Sequence, residues 1–267
     1  MLTMRRALPA AAAAASLILA GCGDDGKQQN QPAVAANAAE KPVVPDIPLP
    51  EPPLDREHLL AAVTYAASDF ATGTDDRERQ KALAGKKFEF RIRFGCGQPT
   101  DDARAPFGWS FDETSGTLKA RATPTLSLKD AAVKAIAGDA FESAEGFWLS
   151  QPWVLSAACP ASPSAQATDA LQSVGIAQFF TATGARTMRR SGRAYDTTQK
   201  IEDGRAPAGG FDLILAGRLV ALPDGRVIGC TPVEGGGRPA CIVSAEFGTV
   251  SIERADTHEQ LAQWGAG

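Results

Sequence analysis

All eighteen aromatic side chains lie between Tyr65 and Trp264, and the first 64 residues contain none. Aromatic rings carry the largest apolar areas a core can bury, so a packed core cannot begin much before Tyr65. The stretch from residue 54 to residue 267 can bury roughly 70% of its extended-chain surface around one core. What precedes it needs another explanation. The overall composition, 44% apolar and 22% charged, excludes wholesale disorder, a collagen-like repeat and a multi-span membrane protein. A formal charge of -4 gives no global attraction to nucleic acid, so no nucleic-acid partner is expected.

Residues 1–21 have the layout of a secretory signal peptide. Arg5 and Arg6 form a basic start, and an apolar run follows from Ala7 to Ala20. As a helix that run would rise only about 21 Å, against roughly 30 Å of bilayer hydrocarbon, which is too short to span. It ends in Leu19-Ala20-Gly21-Cys22. These four residues resemble the lipobox of bacterial lipoproteins at every position: branched aliphatic, small, small, cysteine. The resemblance covers residues 1–22 only. It implies lipidation of the Cys22 thiol, cleavage before Cys22 and acylation of the new amine. Two or three acyl chains anchor a protein stably where one holds it only marginally. In enterobacterial lipoproteins an Asp directly after the cysteine favours the inner membrane. Here Gly23 stands there and the acids come at Asp24 and Asp25, so the resemblance points to the outer membrane, with the domain facing the periplasm.

Residues 22–53 read as the lipidated cysteine and a disordered linker. The segment is rich in Gly, Gln, Asn and Ala, and seven prolines fall between Pro32 and Pro53. Such a composition cannot bury enough apolar surface to offset its ordering entropy, and the prolines favour extended polyproline II.

The rest predicts a mainly β domain, an antiparallel sandwich or partly closed barrel with flanking N- and C-terminal helices. Asp55 caps an amphipathic helix that carries Leu59, Val63, Ala66 and Phe70 and stops at Gly73. Asp75 to Ala84 and Asp130 to Ala137 read as two short helices. Phe88, Phe90, Ile92 and Phe94 alternate with Glu89, Arg91 and Arg93, the pattern of a strand with one apolar face, and that parity puts Cys96 on the apolar side. Phe107, Trp109 and Phe111 repeat the alternation, and Thr117 to Thr125 follows a turn. Phe147 to Ala157 and Gly175 to Thr181 have strand length and apolar content. Phe211 to Ala221, Arg226 to Cys230, Cys241 to Phe247 and Val250 to Ile252 form a meander broken by Pro223-Asp224-Gly225 and Gly235-Gly236-Gly237. Asp256 with Glu259 three residues on has the form of a capping box, and Leu261 with Trp264 gives the last helix an inward face.

Without Cys22 four cysteines remain, Cys96, Cys159, Cys230 and Cys241. An even number in an exported chain predicts two disulfides. The meander puts Cys230 and Cys241 on neighbouring strands, leaving Cys96 for Cys159. There is no C-x-x-C pair and no histidine near a cysteine in sequence, so neither a metal site nor any cofactor is expected.

Catalytic motifs are missing. No G-x-S-x-G, H-E-x-x-H or phosphate-loop pattern occurs, and the two histidines, His58 and His258, fall at helix starts. The paired acids Asp75-Asp76, Asp101-Asp102 and Asp112-Glu113 have the composition of a solvated surface rather than of a glycosidase pair. Two features stand above this background. Arg186, Arg189, Arg190 and Arg193 make a local basic patch suited to an anionic lipid, a lipopolysaccharide phosphate or an acidic partner. Trp109, Trp148 and Trp153 could stack on a glycan, although the neighbours of Trp109 and Trp153 mark both as core. The expected function is a non-catalytic binding or scaffold module of the cell envelope, held by its lipid anchor, with an envelope protein, lipid or glycan as partner. The alternative is an envelope enzyme of hydrolase type whose site assembles from scattered residues.

Overall fold

The alternating segment that starts at Lys87 is a strand in the computed structural model, which describes residues 50–100, 102–161, 173–201, 205–233 and 237–265. The lipobox, the leader and most of the proline-rich segment lie outside these residues. In chain order the elements are α1 (Arg56–Thr72), α2 (Arg77–Leu83), β1 (Lys87–Phe94), β2 (Phe107–Asp112), β3 (Thr117–Ala122), α3 (Ala131–Ala137), β4 (Ser143–Trp148), β5 (Val174–Phe180), β6 (Tyr195–Lys200), β7 (Phe211–Leu219), β8 (Ile228–Thr231), β9 (Ala240–Arg254) and β10 (Gln260–Gly265). Among the described residues the protein is mainly β, two sheets with three helices and no closed barrel, and a sandwich fits.

The larger sheet is built around β9. Along one edge of β9 run β7 and then β8, both antiparallel to it; β5, parallel, and β10, antiparallel, pair with it as well, and β1 and β4 close the two ends of the order β1-β7-β9-β5-β4. Ser244 joins the first two partners, since its carbonyl accepts the Val220 N–H and its N–H donates to the Val227 carbonyl. The smaller sheet, β2-β3-β6, is antiparallel throughout.

One face of the large sheet carries Phe88, Phe90, Ile92 and Phe94 of β1 with Phe211, Leu213 and Leu215 of β7, all buried. The small sheet covers this face. Phe107 stacks on Phe94 at 5.2 Å and lies 6.0 Å from Phe147, while Trp109 meets Phe211 at 5.6 Å. Helix α1 covers the rest, adding Leu59, Leu60, Val63 and Ala66 to the same core. The first three are worth roughly 1.5–3 kcal/mol each on full burial. A second cluster, with Val133 of α3, Trp148, Ala177 and Ile242, lies on the opposite face of β4, β5 and the start of β9. Those strands are buried on both sides. Runs such as Cys241-Ile242-Val243 are accordingly apolar without alternation.

Arg56 ties the start of α1 to the edge of β1 that faces away from β7, next to the bridge Leu54 makes there. Its guanidinium donates to the carbonyls of Val154 (2.9 Å), Arg91 (3.1 Å) and Gln151 (3.3 Å) and lies over the Phe90 ring at 5.2 Å. Burial lowers its pKa to about 10, with nearby Asp212 opposing the shift. In the outward rows of the same region Arg93 stands opposite Asp212 and grips its carboxylate at 2.7 and 3.0 Å.

Both cysteine pairs are disulfides, Cys96–Cys159 and Cys230–Cys241. Cys230 and Cys241 are register partners with Cα atoms 4.1 Å apart. The Cys241 N–H donates to Ser173 on the far side, so the two backbones do not bond each other and the side chains approach closely.

Four expectations shift. The C-terminal helix is instead strand β10, and His258 sits in the hairpin before it with φ 59°. Asp256 does not cap a helix; it accepts from Arg254 at 3.1 Å and from the Ala208 N–H. A helix that short gains little by itself, whereas pairing satisfies a whole row of β9 backbone groups. The strand expected at Phe147–Ala157 lies earlier, at Ser143–Trp148, and the chain beyond it is irregular. Cys241–Phe247 and Val250–Ile252, read as separate segments, belong to one strand with a bulge between them. Cys96 leaves the sheet altogether, because β1 ends at Phe94 and Gly95 turns with φ 70°.

Candidate functional site

Helix α1 starts where the Asp55 carboxylate accepts the His58 N–H at 3.0 Å and stops at Gly73, whose φ of 69° suits a residue without a Cβ. Between these caps the helix has two apolar sides. Leu59, Val63 and Ala66 enter the core, and next to them Leu60, Thr64, Ala67, Ser68 and Ala71 run along one flank. These flank side chains are small after Leu60. They leave a cavity of about 400 Å³ between the helix and the starts of β5 and β9.

Val174 and Cys241 line the cavity from the sheet, Pro152 and Pro239 from the adjoining loops. The Cys230–Cys241 disulfide and the 2.8 Å bond from the Cys241 N–H to Ser173 fix the sheet side. The polar lining comprises Thr64, Ser68, Ser173 and Arg238. The Thr64 hydroxyl already donates to the Leu60 carbonyl at 2.9 Å. Arg238 is exposed and forms no ion pair among the described residues. The volume lies in the lower part of the roughly 300–1,000 Å³ typical of small-molecule sites. Apolar walls, three hydroxyls and one cation can hold and orient a ligand. No histidine or carboxylate lines the cavity among the described residues, and no group of three His, Cys, Asp or Glu side chains there could hold a metal.

The arginine cluster is placed in the loop between β5 and β6. Arg186 and Arg189 share the Glu142 carboxylate at 3.0 and 2.6 Å. The backbone N–H groups of Arg190 and Ser191 both donate to Glu145 at 2.7 Å, the Arg190 guanidinium lies 4.8 Å over Tyr195, and Arg193 donates to the Arg190 carbonyl. The cluster pins its loop to β4. The charge it offers a ligand rests on Arg186 and Arg193, its exposed members.

The tryptophans do not meet on one surface. Trp109 and Trp148 are buried in different clusters, whereas Trp153, expected in the core, is 57% exposed. His58 bonds the Asp55 carboxylate at 2.7 Å, and the histidines are on α1 and the β9–β10 hairpin. The acids have local work: Asp76 caps α2, Asp75 pairs with Arg77, and Asp112 accepts from Thr114 and Ser115 in the turn. Asp101 and Cys22 lie outside the described residues.

Sequence periodicity marks α1 as a helix with one buried face, so the cavity on its flank goes unnoticed. The available signal was the recurrence of small residues at Thr64, Ala67, Ser68 and Ala71 on that flank, with an arginine just after the glycine run. Compared with protein-family models, curated proteins and solved structures, the chain matches none of them.

Proposed function

We propose that this is a lipid-anchored, periplasm-facing protein of the cell envelope, held in the outer membrane, whose β domain is a non-catalytic binding module. The observation that carries the binding role is the cavity beside α1, whose lining offers apolar walls, hydroxyls and one arginine and, among the described residues, brings no nucleophile–base pair together. The lipobox ending at Cys22 supports the anchor, and four cysteines engaged in two disulfides support an oxidising compartment. A long proline-rich segment between anchor and domain would let the module sample ligands at a distance from the lipid surface.

Cell fractionation of the Cys22→Ala variant tests the anchor. The wild type sediments with outer membranes and the variant moves to the soluble periplasmic fraction. Unchanged sedimentation of the variant would remove the anchor from the proposal.

A further inference from the structure

We infer that the cavity beside α1 binds a single-chain amphiphilic anion, an acyl tail with one carboxylate, and that Arg238 receives the carboxylate. This rests on the binding role proposed above and specifies its ligand.

Three observations define the ligand. The walls formed by Leu60, Val63, Ala67, Val174 and Pro239 present no free strand edge to a peptide and suit hydrocarbon. The volume of about 400 Å³ suits one tail rather than two. Arg238 has no acidic partner among the described residues; Arg104 and Arg193 have none there either, but of the three Arg238 alone lines the cavity. A guanidinium matches one carboxylate in a bidentate fork, whereas a phosphate dianion would call for a second cation, and no lysine or other arginine lines the cavity among the described residues. Because Arg238 is exposed, pairing it costs little desolvation on the protein side.

The test is calorimetric titration of the purified Cys22→Ala full-length chain, which carries no acyl groups of its own to compete. Dodecanoate, kept below its micelle concentration, should saturate at one per chain, and methyl dodecanoate should bind roughly threefold to fivefold more weakly, as an exposed ion pair allows. Arg238→Gln should bring dodecanoate down to the level of the ester and leave the ester unchanged. Ala71→Trp, which adds bulk from an exposed helix position, should abolish both while leaving the melting temperature intact.

Equal affinity for acid and ester, or no effect of Arg238→Gln, overturns the anionic ligand and leaves the apolar binding role standing. Comparable saturation by a two-tailed phosphatidic acid overturns the single tail. No saturable binding by any of these amphiphiles overturns both the ligand and the cavity's role. Sedimentation as a dimer that Ala71→Trp converts to monomer would assign the cavity to a second copy of the chain and overturn the inference likewise.

Discussion

Tyr195 shows how far a single position departs from what its residue type suggests. It is 2% exposed, packed 5.1 Å from Trp264 and 6.2 Å from Phe147. Burial pushes its hydroxyl up to about 12, with Arg190 pulling the other way and Glu145 adding to the rise. A phenol whose folded pKa exceeds the ordinary value near 10 contributes stability that is complete below pH about 10 and lost as the pH climbs towards 12. In a Tyr65→Phe variant Tyr195 is the remaining tyrosine. Its phenolate absorbance should therefore appear only as the pH approaches about 12; ionisation near 10 in the folded chain would contradict the packing. Asp212 is a second such position, its side chain 2% exposed and gripped by Arg93, itself 17% exposed. Asp212→Ala leaves that arginine largely buried without its partner and should cost about 3 kcal/mol in denaturant unfolding. Glu246→Ala, which removes an exposed partner of Arg218, should cost under about 1 kcal/mol. Equal losses would mean the Arg93 pair is as solvated as the surface one. Sequence alternation exposed the charged row Glu89-Arg91-Arg93, but the partner across the strand becomes visible only with the register.

At the scale of elements, legibility followed the length of the periodic signal. Strand β1 and helix α1 each carry four apolar residues at one period, and both formed within a residue or two of the expected bounds. The segment from Asp256 to Trp264 offered two apolar residues three apart, which fits a helix but does not exclude a strand with a bulge. Bulging is what happens: Gln260 pairs with Glu253 and Ala262 with Ile252, leaving Leu261 as the extra residue, and it is buried. Local periodicity could not see the unpaired edge of β9 that decides this. The same holds where Cys241–Phe247 and Val250–Ile252 join at Gly248. Gly217 approaches β9 so closely that a Cβ there would fall 2.0 Å from the Glu246 carbonyl oxygen, and the ladder shifts by one residue beside it. The shift leaves the Phe247 N–H to be taken by the Gln178 side chain at 3.2 Å. A long strand thus continues through Gly248.

For the molecule as a whole, composition marked the aromatic-rich stretch as the one to fold around a core, and cysteine parity together with the meander predicted both disulfides. The cavity was not legible, because it arises from what is missing: α1 carries alanine, serine and threonine where a larger side chain would have closed the gap against β5 and β9. That gap, beside an arginine with no acidic partner among the described residues, is the observation on which the proposed ligand rests. The binding role rests on the cavity, whereas the proposed anchoring and export rest on the processing of residues 1–22 and on the two disulfides. Non-reducing peptide mass mapping of the protein purified from outer membranes tests this most directly. The mature chain should begin at an acylated Cys22 and yield the linked pairs Cys96–Cys159 and Cys230–Cys241. An N-terminal peptide that retains residues 1–21 with an unmodified Cys22 thiol, or free thiols at the other four positions, would contradict it.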